Sequence, residues 1–395
     1  MTAVPSRLKS DIDLFSDAVL ENPFPYYKQL RDLGPTAYLA RHDVWFLGRY
    51  DEARRALTDW KRYSSAQGIG LNDTINAAWK DALICADPPV HTQKRRLIME
   101  KLGPKYLKPV EDTIAIRARE LAARLAERQE FDGVADLAHE LPVNVIMDLI
   151  GWPDDVRGHL LNFAIGSWNA VGPENERMRA SLPKLAAMME MIGRVYDEGR
   201  LTPDGFGSAM VNAAKRGDIN REEAIGLLAG YVVAAFETTI SAMASGVYFF
   251  ALYPDQWDLV RKDVSLVPKA FNEIIRMETP IQNFSRVVTE DIDLGEDAVI
   301  PEGARVIVSY ASANRDERHF ETPDRFDVLR KETDHLGFGL GNHSCAGQGL
   351  ARLEGHAVFT ELAKVARGFE LTGEPSRELN NIARAFASLP ARVLV

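Results

Sequence analysis

Cysteine is almost missing from this chain: of 395 residues, only Cys85 and Cys345 are cysteine. Two thiols cannot build a disulfide framework, and their scarcity fits a reducing compartment. A basic excess is missing too. Lys and Arg number 47 against 57 Asp and Glu, a net charge of −10. This argues against non-specific nucleic-acid binding, because a phosphate-binding surface shows as a net or clustered positive excess. No Pro/Ser-rich linker, repeat or low-complexity run divides the chain, so although 395 residues exceed the usual single-core size, one domain over 1–395 is expected, organised around a cofactor. Residues 1–15 alternate polar and charged side chains without an apolar core, which speaks against a signal peptide or membrane anchor there and for a cytoplasmic protein.

Long hydrophobic runs are scarce, with one exception. Ile225 to Leu252 is apolar except for Glu237 and a few hydroxyls, long enough to cross a bilayer. However, it begins with capping chemistry, Asn220 followed by Glu223, and ends at Tyr253-Pro254, with no basic flank to orient it. A helix apolar all round is also what the centre of a large soluble protein requires. A central helix over about 220–252 is therefore predicted, ~50 Å long at 1.5 Å per residue.

What the chain does have is a glycine-rich loop around one of its two thiols. Phe338-Gly339-Leu340-Gly341-Asn342-His343-Ser344-Cys345-Ala346-Gly347 runs directly into a helix-forming stretch, Gln348 to Ala366. A thiolate bound to a metal is stabilised by backbone N–H groups aimed at its sulfur and by a helix N-terminus, and glycines permit that approach. Two other readings exist: a buried structural cysteine, and a dinucleotide loop on Gly337, Gly339 and Gly341. The second lacks the apolar strand that should precede it, since Arg330 to Asp334 is polar.

The pattern Phe338-x-Gly-x-Gly-x-His-x-Cys-x-Gly resembles the heme-binding signature of the cytochrome P450 family, and the resemblance extends over nearly the whole chain, from Asn22-Pro23-Phe24-Pro25-Tyr26 to Ser388-Leu389-Pro390. It implies a mainly α fold with small β-sheets, a triangular helical body around heme b, with the Cys345 thiolate as axial ligand and Phe338, Gly339 and Gly347 beside it. Helical patterns from Asn22 to Thr279 and strand-rich sequence from Arg286 to Tyr310 agree with that class. Within the central helix, Ala234-Ala235-Phe236-Glu237-Thr238-Thr239 is similar to the family's oxygen-activation motif. The likeness implies that Ala234 and Ala235 lie against the heme, that Thr238 engages dioxygen and that Glu237 delivers protons, although Ala235 stands where the family most often has Gly and leaves the helix less easily distorted. A threonine bonded to its own helix carbonyl is the plain alternative.

By the same resemblance His91, Arg95, Arg286 and His343 are propionate contacts; two buried carboxylates need such donors. Glu273 and Arg276 stand three apart on one helical face and resemble the family's Glu-x-x-Arg pair, with Arg325 as the later partner. Three segments, 64–71, 168–173 and 280–284, look like the bacterial subfamily that hydroxylates or O-demethylates para-substituted benzoates. They suggest a compact aromatic pocket of Gln67, Ile69, Leu71, Trp168, Val171, Gly230, Val233, Ala234, Ile281, Asn283 and Phe284. The subfamily grips a carboxylate with cationic and polar side chains where this chain has Gln67, Ala229 and Gly230. A neutral aromatic is therefore expected, with Gln67 or Asn283 offering a hydrogen bond. The implied function is a monooxygenase using O2 and a ferredoxin-type donor, acting as a monomer. A basic cluster of Lys94, Arg95, Arg96, Lys101, Lys105 and Lys108 offers that donor a landing site. A peroxide-driven hydroxylase needs no Glu237-Thr238 pair and brings an arginine near the oxygen, which this stretch lacks; a heme carrier or gas sensor has no use for proton-delivery groups.

Overall fold

The apolar run of the central helix draws the other elements around it. In the computed structural model, which describes residues 4–395, this helix spans Arg221–Leu252, and the helices Glu140–Ile150, Asp154–Ala164, Glu176–Asp197, Phe206–Arg216, Val267–Glu278 and Gln348–Val365 pack against it. Its start is a capping box: Asn220 Oδ1 accepts from the Glu223 N–H at 2.8 Å, and Glu223 Oε2 accepts from the Asn220 N–H at 3.0 Å. It is the one helix among the described residues long and apolar enough to cross a membrane, and 72% of its most apolar window is buried inside the protein.

Beside the helices lies a six-stranded sheet in the order Lys9–Ser10, Ala37–Leu39, Val44–Leu47, Arg305–Ser309, Asn283–Val288, Tyr63–Ser64. The strands at Ala37–Leu39 and Val44–Leu47 fall in a stretch whose sequence reads as helical, because three- and four-residue strands are too short to show a period. Smaller pairings join Ser376–Leu379 to Arg384–Ser388, and Gly368–Leu371 and Glu130–Asp132 to Pro390–Leu394. One large apolar core fills the body, and a second, small one of Leu14, Phe15, Tyr27, Leu30 and Phe46 seals the N-terminal edge.

The helix Val267–Glu278 supports the loop that leads to Cys345. Arg276 donates from Nε and Nη2 to both Glu273 oxygens at 2.7 and 2.8 Å, and from Nη1 to the Asn314 and Pro323 carbonyls. The expected third member is a correction. Arg325 is exposed and lends only its carbonyl, whereas Arg330 Nε lies 3.1 Å from Glu273 Oε1. The reason is two successive turns, Arg325 N–H to the Thr322 carbonyl and Arg330 N–H to the Asp327 carbonyl, which carry the side chain at 325 outward and the one at 330 back inside.

Candidate functional site

The Cys345 loop is shaped by backbone that only glycine tolerates. Gly341 adopts φ +67°, and a Cβ there would sit 2.3 Å from the Leu57 carbonyl oxygen. Gly339, at φ +65°, lets the loop fold back so that the Cys345 N–H donates to the Phe338 carbonyl at 2.7 Å. Burial pushes the Cys345 thiol up, while the Gly347 and Gln348 N–H groups and the Arg95 and Arg352 guanidiniums pull it down. Arg352 stacks over the Phe338 ring at 4.4 Å and so stays beside the sulfur.

Across from this loop the central helix is buried almost all round, yet Gly230 and Ala234 are exposed and Gly226, Ala235 and Thr238 are half-exposed. Positions four apart share one helical face, so this is a single stripe of small residues bordering open interior space. A Cβ added at Gly226 or Gly230 meets nothing within 4 Å. Residues 337–348 are likewise half-exposed, apart from the exposed Gly341, although they lie inside the fold.

The polar groups around that space lack partners of their own. His91 and His343 meet ring to ring at 4.5 Å, and among the described residues the Nε2 of each is buried without a hydrogen bond. Burial, with Arg286, His91 and Arg95 nearby, pulls His343 down to about 3, and burial also lowers His91, so both rings are neutral and each keeps one N–H. Neither Arg95 nor Arg286 has a carboxylate partner among the described residues; Arg286 donates to the Ser285 carbonyl and lies against the Tyr310 hydroxyl. The buried guanidinium of Arg286, the half-buried one of Arg95 and the imidazole nitrogens without partners together suit an anionic group. A flat macrocycle with two carboxylates and an iron, held between a thiol loop and a stripe of small side chains, fits this donor set.

On the same helix Thr238 Oγ1 donates to the Ala234 carbonyl at 2.8 Å. Glu237 is 5% exposed; its Oε1 accepts from Asn380 Nδ2 at 3.2 Å, and its Oε2 has no partner among the described residues. Burial pushes this carboxyl up to about 8. Glu378 pushes the same way, and the Gly166 N–H, Asn380 and Lys184 pull against it.

The pocket residues divide. Trp168 packs against Phe284 with ring centroids 5.4 Å apart, its indole Nε1 buried and unpartnered, and Ile281 bridges Ala383 nearby. Val233 is buried beside the stripe. Five expectations are corrected. Strand alternation places Phe284 and Arg286 on one face and Asn283 on the other, where its side chain lies with Ser309 beside the Tyr27 hydroxyl. Val171 and Ile69 are 0% and 2% exposed and so do not border open space; their carbonyls accept from the Leu71 and Ser285 N–H groups and brace the loop 66–72. Leu71 packs against the small N-terminal core. Gln67 is exposed, and its carbonyl accepts from Arg305. Of the basic cluster, Lys94 is buried on Glu223 at 2.9 Å and Arg95 is in the site, which leaves Arg96, Lys101 and Lys105 on the surface with Lys108 paired to Glu111. Sequence reasoning missed Asn380, the buried Glu354, and Trp79, whose ring meets Trp168 edge-on at 6.4 Å. None belongs to a motif, and the only signal for Glu354 is an acid on the apolar side of its helix, beside Leu350 and Val358.

A thiol loop, unpaired cationic donors and a long helix with an acid–alcohol pair define a heme-thiolate protein. The Cytochrome P450 family model matches residues 187–393. CYP199A2 of Rhodopseudomonas palustris is 36% identical over 97% of this chain and 93% of its own length, and linalool 8-monooxygenase of Pseudomonas putida is 33% identical over 81% and 80%. The structure of Mycobacterium marinum CYP268A2 in complex with pseudoionone superposes with a TM-score of 0.88 at 25% identity, covering 99% of this chain and 100% of that one. The chain belongs to the cytochrome P450 family: it is a monooxygenase whose cofactor is heme with an axial cysteine thiolate.

Proposed function

We propose that this enzyme inserts one oxygen atom from O2 into a small, neutral aromatic substrate, by hydroxylation or O-demethylation, as a cytoplasmic monomer of one domain supplied by a ferredoxin and its reductase. Cys345 would hold the heme iron through its thiolate, the sulfur addressed by the Gly347 and Gln348 N–H groups and flanked by Arg95 and Arg352. His91, Arg95, Arg286 and His343 would hold the heme's propionates. When bound, the heme supplies reductive activation of O2, with one atom going to the substrate and the other leaving as water.

The chain's own groups do the rest. Thr238 has its proton engaged on Ala234, so its oxygen is presented to the cavity as an acceptor. Glu237 is kept protonated near neutral pH by burial, which makes it a proton source rather than a fixed charge. Small residues along the stripe leave room for a flat ring, and the surface cations Arg96, Lys101 and Lys105 suit an acidic electron donor.

The observation that carries the substrate reading is the Trp168–Phe284 pair with its uncommitted indole N–H. It supports an aromatic ligand with one neutral acceptor. The cation bound to the 66–72 loop, Arg305, is already committed to the Gln67 and Gly68 carbonyls and to Ser285 Oγ, and Ala229 and Gly230 provide no charge. A buried carboxylate without a cation costs several kcal/mol. Titration by heme spin-state shift is therefore expected to show tighter binding of 4-methoxyphenol than of 4-methoxybenzoate; tighter binding and faster turnover of the benzoate would overturn the reading.

A further inference from the structure

The turn between strands Ser376–Leu379 and Arg384–Ser388 carries two asparagines whose side chains face different tasks. Asn380 is 3% exposed. Its Oδ1 accepts from the Ile382 and Ala383 N–H groups, both at 3.0 Å, which fixes the amide plane and leaves Nδ2 to donate to Glu237 Oε1 at 3.2 Å. Asn381 faces the connection between the helices Asp154–Ala164 and Glu176–Asp197. Its N–H donates to Asn169 Oδ1 at 2.8 Å and its Nδ2 to the Asn169 carbonyl and Asn175 Oδ1, while Asn175 Nδ2 returns a bond to Asn381 Oδ1 at 2.8 Å. The packing there is tight: a Cβ on Gly172 would lie 2.4 Å from Asn381 Nδ2.

We propose that Asn380 is a positioning residue for Glu237, holding the acid's carboxyl through a donor whose direction is set by the turn, and that Asn381 keys that turn to the 166–175 segment roofing the substrate side. The inference rests on the reading of Glu237 as the proton source. Geometry singles out Asn380 because it is the one side-chain donor to Glu237 among the described residues. An amide there supplies direction without charge, so it aims the carboxyl without forcing it to ionise. Glu378 and Lys184 are the other ionisable groups facing this acid, and they act on its charge in opposite senses.

The test uses the heme-loaded enzyme with 4-methoxyphenol and two readouts. Asn380→Asp keeps the acceptor for the Ile382 and Ala383 N–H groups and replaces the amide donor by a second carboxyl, whereas Asn380→Ala removes the donor outright, which separates support of the turn from support of the acid. In infrared difference spectra, the carboxyl band that disappears in Glu237→Gln is expected to move to higher frequency in Asn380→Ala, where the donor is lost, and to move in Asn380→Asp, where a second carboxyl replaces it. Product formed per NADH consumed is expected to fall by roughly three- to tenfold in both variants, the scale of one hydrogen bond, with no further fall when Asn380→Ala is added to Glu237→Gln. An unmoved band, additive losses in the double variant, or loss of the thiolate CO spectrum in Asn380→Asp overturns the inference. A shifted band with unchanged coupling instead overturns the role of Glu237 while its positioning by Asn380 stands.

Discussion

Arg330 donates from Nε to Glu273 Oε1 at 3.1 Å, fifty-seven residues along the chain, and by its other nitrogens to the carbonyls of Glu321, Thr322 and Arg325. It thereby closes a buried cage in which Glu273 also accepts from the Asp327 N–H and Arg276 binds the Asn314 carbonyl. The cage ties the helix Val267–Glu278 to the chain that leads into the thiol loop.

Removing Arg330 leaves Glu273 paired with Arg276 but takes a donor from one Glu273 oxygen and from the Glu321, Thr322 and Arg325 carbonyls, at about 1–3 kcal/mol for each buried group left unsatisfied. Arg330→Leu is therefore expected to lower the urea midpoint sharply and to abolish heme incorporation on expression. Arg325→Ala keeps the carbonyl that the cage uses and should lie within about 0.5 kcal/mol of the parent, as surface changes do. Equilibrium unfolding of the two variants decides between the arginines, and equal losses would show that the 325 side chain also matters.

The two thiols should separate cleanly. Cys85 is 2% exposed, and burial pushes its thiol up to about 11, so it stays protonated and packs as a small apolar group. Cys345→Ser is expected to abolish the thiolate-type CO difference spectrum, whereas Cys85→Ser preserves it at a cost of about 1 kcal/mol in stability. The reverse pattern would remove Cys345 from the iron.

Glu354 is fully buried nine residues after Cys345, with both carboxyl oxygens unpartnered among the described residues, and burial raises its pKa to about 8. The unfolded chain ionises it from about 4.5 upward and the folded chain resists, so its contribution to stability is complete below that value and drains away as the pH rises toward 8. Glu354→Gln titrates in neither state. Urea unfolding at about pH 5 and pH 8 should show the variant gaining on the parent by several kcal/mol across that interval; a constant difference would show that the acid is ionised in the fold.

Local chemistry was the readable part of this molecule. The capping box at Asn220 and Glu223, the Glu273–Arg276 pair and the glycine loop around Cys345 are all set by neighbours within a few residues, and the structure has each where its pattern places it. Contacts set by distant chain were not readable. Whether residue 325 or 330 turns inward depends on two turns, and whether Asn283 meets the cavity or Tyr27 depends on which face of a strand abuts the N-terminal core. Lys94 looked like a surface charge because its partner, Glu223, stands at the start of a helix far along the chain. Asn380 reaches Glu237 across 143 residues and belongs to no motif.

That last ion pair gives the start of the central helix a second duty. Glu223 closes the capping box and, through Lys94, grips the helix Val90–Leu102, which also carries His91 and Arg95. The carboxylate that ends the fraying of one wall of the heme chamber is thus the rivet that fastens the adjoining wall. Thermal loosening of the helix start and loosening of the segment that carries His91 and Arg95 are for that reason one event, and the chamber should open as a unit rather than panel by panel.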